Sequence, residues 1–200
     1  MESKSASIII LSGGTSARFG SDKSLALIDG KSLISRILSA IPTEFEIIIV
    51  GPDPHVENVN YCCVQETPLH GGPVAGMKAG LTMCTNEIVA VMATDMPFAT
   101  ARIVNLFNSM TSSDECVMFV DGAGIKQPLA AVYRVDALER ALLDMGASTG
   151  KSMRELISYL EVRLVSMTHE VAQALMDIDT PADLARAIAY SNALADNSRL

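Results

Sequence analysis

The strongest constraint on this chain is the recurrence of short, unbroken apolar runs, each closed by glycine, proline or a polar turn. Ile8-Ile9-Ile10-Leu11 runs into Ser12-Gly13-Gly14, and Ile47-Ile48-Ile49-Val50 into Gly51-Pro52. Val89-Ala90-Val91-Met92-Ala93 runs into Thr94-Asp95-Met96-Pro97. Such runs fall far short of the ~20 residues a membrane span needs and fit strands buried on both faces. Amphipathic stretches at 32–40, 73–82, 101–110, 135–145 and 152–160 read as helices. Further strands are expected at 61–65, 116–121, 128–134 and 162–165. Thr180-Pro181 opens a last helix, with the threonine as N-cap and the proline in the first turn. Strands alternating with helices over 200 residues predict a three-layer α/β fold with a mostly parallel sheet. No repeat or linker interrupts the pattern, so residues 1–200 are expected to form one domain.

Charge narrows the partners. Fifteen Lys and Arg against 23 Asp and Glu leave a formal charge of −8, which argues against nucleic acid, whose phosphates demand a basic face. A single nucleotide needs only a few local cations, backbone N–H groups and a divalent metal. The start, Met1-Glu2-Ser3-Lys4-Ser5, lacks the basic, then apolar, pattern of a secretory signal, and with no membrane span in view a cytoplasmic location is expected. The four cysteines (Cys62, Cys63, Cys84, Cys116) lack metal-ligand spacing and are expected as reduced thiols. Three scattered histidines (His55, His70, His169) assemble no nucleophilic triad, and no catalytic role is assigned to them.

In an open α/β sheet, ligands bind outside the carboxyl ends of the strands, where the strand order reverses. Two such ends are unusually polar. After Leu11 come Ser12, Gly13 and Gly14, then Arg18 and Lys23 within the same loop. Paired glycines let backbone N–H groups approach phosphate oxygens, while Arg18 brings a planar fork and Lys23 a flexible point charge. The spacing is neither the P-loop nor the dinucleotide fingerprint. After Ala93 comes Asp95, either a cap for the following helix or a hard-metal ligand. Asp177 and Asp179 alternate along an extended segment, which turns both to one side, although acids before a helix also suit its N-terminus. His70-Gly71-Gly72-Pro73 opens a helix, either as a tight turn or as a floor for a base or ribose.

Together these segments resemble the MobA-type nucleotidyltransferases, which make the guanine dinucleotide form of molybdenum cofactor. Residues 11–23, L-S-G-G-T-S-A-R-F-G-S-D-K, match the pattern L-A-G-G-x-S-x-R-M-G-x-D-K, with Ser12 for Ala and Phe19 for Met. Residues 72–76 match G-P-L-A-G, and residues 94–98 match C-D-x-P-[FY]. Gln127-Pro128-Leu129 with Tyr133-Arg134 resembles Q-P-L-x-A-L-Y-R, and residues 178–184 resemble N-x-N-T-P-E-D-L with acids where asparagines are common. The resemblance implies a Rossmann-like α/β/α nucleotidyltransferase fold. It implies that Leu11, Ser12, Gly13 and Gly14 hold guanine and ribose, with Gly72 also at the nucleotide. Lys23 and Arg18 would serve the triphosphate, and Asp95 would bind Mg²⁺; of the acidic pair read above, Asp179 is taken as the second metal ligand, with Asp177 the alternative. Two positions often held by Asn and Asp in the family are occupied by Gly51 and Thr67, so those contacts are not carried over.

The reaction so implied is attack by the terminal phosphate of molybdopterin cofactor on the α-phosphorus of GTP, with pyrophosphate leaving. Gln127 to Leu129 and Lys151 to Arg154 are the segments expected to face the pterin phosphate. GTP and molybdopterin cofactor are the implied substrates, with transient contact to cofactor-insertion proteins or molybdoenzymes. The nearest rival is a cytidylyltransferase, which usually carries L-A-A-G where this chain has residues 11–14; Gly14 favours the larger base. A sugar-1-phosphate nucleotidyltransferase is usually longer. A non-catalytic nucleotide-binding module would lack Lys23 or Asp95, and both are present.

Overall fold

The computed structural model describes residues 6–12 and 26–197. Its elements follow the apolar pattern closely. In chain order they are β1 (Ser7–Leu11), β2 (Leu27–Ile28), β3 (Lys31–Ser32), α1 (Leu33–Ala40), β4 (Glu46–Val50) and β5 (Cys62–Val64). Next come α2 (Pro73–Leu81), β6 (Ile88–Ala93), α3 (Thr100–Ser109), β7 (Cys116–Val120), β8 (Lys126–Arg134) and α4 (Val135–Met145). The described chain ends with α5 (Met153–Leu156), β9 (Val162–Ser166), α6 (His169–Ala174) and α7 (Pro181–Asn197).

Seven strands form one sheet in the order β5-β4-β1-β6-β8-β7-β9, and β2 pairs with β3 as a separate two-stranded hairpin. β1 lies between β4 and β6, parallel to both, so the chain winds outward first on one side of β1 and then on the other. Side chains alternate across the strands and split between two cores. Ile8, Ile10, Ile47, Ile49, Ala90 and Met92 pack with α1 and α3 residues such as Ile37, Ile103 and Phe107. Ile9, Ile48, Val89 and Val91 pack with Val74, Met77, Leu138 and Leu156 from α2, α4 and α5. Each such side chain fully removed from water stabilises the fold by roughly 1.5–3 kcal/mol before entropy is counted. This is the three-layer α/β/α arrangement that the pattern predicts.

Four local features refine or depart from the sequence reading. β8 is antiparallel to both neighbours, because the link from Val120 to Lys126 is a tight hairpin, far too short for a parallel crossover. There the Asp121 carboxylate accepts from the N–H groups of Ala123 at 2.9 Å and Ile125 at 2.8 Å. The stretch expected as one helix over 152–160 is a single α-turn, α5, followed by the 3₁₀ turn Ile157–Tyr159. The hairpin β2–β3 and the short α6 lie outside the sequence reading altogether. The four cysteines are free thiols, and burial pushes the Cys84 thiol up to about 11. Among the described residues no helix is long and apolar enough to cross a membrane.

Candidate functional site at the carboxyl edge of the sheet

The strand order reverses at β1, and sheets of this kind bind ligands beyond the carboxyl ends of the strands at that point, here β1 and β6. Three backbone hydrogen bonds tie this edge together beyond the strand ends. The Ser12 N–H donates to the Val50 carbonyl at 2.8 Å, the Gly51 N–H to Val64 at 2.8 Å and the Thr94 N–H to Leu11 at 3.2 Å. Leu11 and Ser12 are half-buried here.

Two glycines set how closely the chain approaches itself. Gly51 has φ +138°, and a Cβ there would come within 3.2 Å of the Ser12 backbone. Gly76, in α2, lies so close to β1 and β4 that a Cβ would meet Leu11 Cδ2 at 3.3 Å and Val50 Cγ1 at 3.5 Å. Helix α2 therefore sits hard against the strand end that carries Leu11. Gly72 is its N-cap residue, with φ 90° and no side-chain cap. The preceding turn is clamped from behind, because the Gly150 N–H donates to the Gly71 carbonyl at 2.7 Å.

Asp95 is half-buried and does not cap α3, whose N-cap is Ala99. Its carbonyl accepts the N–H of Ile178 at 3.0 Å. That bond draws the segment 177–179 onto the same edge, with Ile178 buried and both Asp177 and Asp179 exposed. The capping of α7 is the work of neighbours. The Asp183 carboxylate accepts from the Thr180 N–H and hydroxyl, each at 2.8 Å, and the Thr180 hydroxyl accepts from the Asp183 N–H at 3.2 Å. This reciprocal box holds the Asp183 carboxyl below its ordinary range, chiefly through the Thr180 hydroxyl. Asp179 contributes only its N–H to it, at 3.1 Å.

The structure thus brings Leu11, Ser12, Asp95, the 177–179 segment and α2's amino end, with Gly72, to one edge. Gly13, Gly14, Arg18 and Lys23 lie outside the described residues. Gln127 to Leu129 reach this edge because β8 runs antiparallel: Ala130 pairs with Met92, so the residues before it continue past the end of β6. Lys151 stands behind the Gly71-Gly72 turn, its carbonyl 3.7 Å from where a Gly72 Cβ would sit and its ammonium 2.6 Å from Glu155. Among the described residues no group of three or more His, Cys, Asp or Glu is arranged to hold a metal ion. Two carboxylates suit magnesium when phosphate oxygens and waters complete the shell, and Asp95 and Asp179 are of that kind.

One acid at this edge escaped the sequence reading. Glu66 is 9% exposed, two residues after the end of β5, and accepts the His70 N–H at 3.0 Å. An acid two residues after a short strand and two residues ahead of a proline is the signal that marks it.

A doubly wound α/β sheet with a ligand crevice at its switch point is a class with many members. Residues 8–164 match the model of the MobA-like NTP transferase domain, and the chain belongs to that family; it is an enzyme of the nucleotidyltransferase type. A "Probable molybdenum cofactor guanylyltransferase" of Natranaerobius thermophilus is 29% identical over 195 residues, covering 92% of this chain and 95% of that one. Among solved structures, molybdopterin-guanine dinucleotide biosynthesis protein A from Archaeoglobus fulgidus aligns with a TM-score of 0.68 at 21% identity, over 94% of this chain and 99% of that one. A 4-diphosphocytidyl-2C-methyl-D-erythritol synthase from Anaerococcus prevotii aligns with 0.69 at 16% identity, over 94% and 99%. At these identities the structural likeness speaks for the fold alone, which guanylyl- and cytidylyltransferases share.

Proposed function

We propose that this chain, acting as one domain in the cytoplasm, transfers GMP from GTP to the terminal phosphate of molybdopterin cofactor and releases pyrophosphate. The observation that carries the reading is the bond from the Ile178 N–H to the Asp95 carbonyl at 3.0 Å. It sets two acidic positions, Asp95 and Asp179, beside the strand end from which the glycine-rich loop departs. The guanylyltransferase name of the relatives favours GMP transfer to this acceptor, as does the Gly14 position.

In this reading Leu11, Ser12, Gly13 and Gly14 hold the base and ribose largely through backbone groups. Gly51 permits Ser12 to sit where it does, and Gly72 lines the facing turn. Lys23 and Arg18 neutralise the triphosphate and the departing pyrophosphate. Asp95 and Asp179 hold a divalent cation, which we take to be Mg²⁺; when bound, it offsets phosphate charge and fixes the α-phosphate. An oxygen of the acceptor phosphate forms a bond to the α-phosphorus as the bond to the bridging α–β oxygen breaks, and the electron pair leaves with pyrophosphate. No protein nucleophile takes part, so the chain contributes position and charge. Gln127 to Leu129 and Lys151 to Arg154 frame the acceptor side.

The test is pyrophosphate release with GTP or CTP in the presence of molybdopterin, with and without chelator. Release with GTP that needs the acceptor and stops on chelation is expected. A clear preference for CTP would replace this reading by the cytidylyltransferase one.

A further inference from the structure

One guanidinium outside the candidate site joins the β2–β3 hairpin, the turn after β6 and α7. Arg36, on α1, donates through Nη1 to Asp29 Oδ2 at 2.9 Å and through Nη2 to the Ser191 hydroxyl at 3.0 Å. The Ser191 hydroxyl itself donates to Asp29 Oδ2 at 2.6 Å. The three groups close a ring in which each hydrogen bond runs from donor to matching acceptor. Ser191 is 6% exposed, and only 19% of the Arg36 side chain meets solvent. The guanidinium also lies over the Phe98 ring, 4.9 Å from its centroid, and Phe98 meets Tyr190 edge to face at 5.0 Å.

Each partner belongs to a different segment. Asp29 is the turn of the β2–β3 hairpin, which begins four residues after Lys23. Phe98 ends the turn that carries Asp95. Ser191 and Tyr190 lie on α7, whose amino end follows Asp179. Beneath the ring, Ala26 and Ile28 of the hairpin side share a small core with Ile178 and Ala187, and Phe98 and Leu184 pack against it. The hairpin, the turn after β6 and the helix that follows the acidic segment 177–179 thus meet through one residue, Arg36.

We infer that Arg36 is a positioning residue: its fork and ring contact fix the β2–β3 hairpin and α7 relative to the turn that carries Asp95, and so set how tightly the enzyme holds the metal–triphosphate complex. This inference rests on the function proposed above. Lysine cannot replace the residue, because it lacks both the planar fork and the stacking face. Ser191 and Phe98 act through it.

The experiment measures binding of Mn²⁺ with GTP by electron paramagnetic resonance on the full chain, with CTP run in parallel and thermal melting of each variant. Arg36→Lys and Ser191→Ala are expected to weaken Mn²⁺–GTP binding about tenfold while keeping a cooperative melt well above the assay temperature. Phe98→Leu should weaken it about threefold. Removing one hydroxyl in Ser191→Ala keeps the test open if the Arg36 variants fail to fold. Lowered melting with Mn²⁺–GTP binding unchanged within twofold would make the ring a structural brace and overturn the inference. Full rescue by Arg36→Lys would overturn it too. A wild-type chain that binds Mn²⁺ with neither nucleotide would instead defeat the proposed function, and this inference with it.

Discussion

At the amino edge of the sheet, Glu46 opens β4 among donors. It accepts from the Ser7 hydroxyl at 2.5 Å, the Thr85 N–H at 3.0 Å, the Thr85 hydroxyl at 3.1 Å and the Asn86 amide at 3.4 Å. At the carboxyl edge the chain closes on itself through backbone instead: Ser12 to Val50, Gly51 to Val64, Thr94 to Leu11, Ile178 to Asp95. The first edge spends its side chains on one another. The second is held by peptide groups, with Asp95 half-buried and Asp177 and Asp179 exposed along it. The difference shows how one sheet can be held by side chains at one end and by main chain at the other.

The largest effect should come from the carboxyl edge. Asp95→Ala is expected to cut turnover on the order of 10³-fold, the loss that several kcal/mol of charge stabilisation implies. The bond from the Ile178 N–H to the Asp95 carbonyl survives the substitution, and melting run alongside separates lost chemistry from lost stability. Turnover within threefold of the parent would remove Asp95 from the metal site and erase the contrast between the edges. Next stands Gly51→Ala. A Cβ at φ +138°, 3.2 Å from the Ser12 backbone, should cost about 1–3 kcal/mol of strain and push Ser12 outward, raising the KM for GTP. Gly80→Ala is its counterpart in the core, where the new Cβ would meet Ile9 side-chain carbons at 2.9 Å. It should lower stability by about as much while the folded fraction keeps a normal KM. Equal kinetic damage from both would mean that Gly51 matters only for packing.

The amino edge should answer to acid. Partial burial pushes the Glu46 carboxyl up, but its donors, led by Ser7, outweigh this and hold it below its ordinary value. The Arg163 guanidinium does the same for Asp114, well below the usual carboxylate range. For carboxyls depressed in the folded state, the added stability is complete above their unfolded values, about 4.3 for Glu and 3.9 for Asp. It is lost as pH falls from there through the folded values. Glu46→Gln should cost about 1–3 kcal/mol at neutral pH, since buried donors lose a charged acceptor. Below about pH 4 its stability should fall with a shallower slope than the parent's. Melting curves between pH 3 and 7 measure both effects, and identical slopes would show that the network carries no linkage.

Much of the carboxyl edge was legible in residue order, because unbroken apolar runs and their polar ends locate strands and the turns after them. Leu11, Ser12, Asp95 and the 177–179 segment meet as that logic predicts, and β4 and α4 have the expected bounds. The antiparallel direction of β8 was legible too, had the short link after residue 120 been weighed against the length a crossover needs. Other features carry no periodic signal. Two-residue strands such as β2 and β3 are too short for alternation to register. The Arg36 ring joins residues up to 162 positions apart, and Glu66 owes its burial to a turn that folds over it.

The smallest predicted effect separates holding a helix from holding an acid. Thr180→Ala removes one half of the box at the start of α7, which should cost about 1 kcal/mol. The Thr180 N–H still reaches Asp183, so the helix persists and only its first turn loosens. Asp179 lies one residue upstream, tethered by the N–H that donates to Asp183 at 3.1 Å. If Asp179 binds the metal through a carboxylate aimed from this turn, loosening it should raise the Mg²⁺ concentration for half-maximal turnover about two- to threefold, with little change in saturated rate. Asp179→Asn should raise it further with the box intact. Should Thr180→Ala shift melting alone and Asp179→Asn leave the Mg²⁺ dependence untouched, the acidic segment would belong with Glu46, as structure, and Asp95 would stand as the remaining metal ligand of the pair.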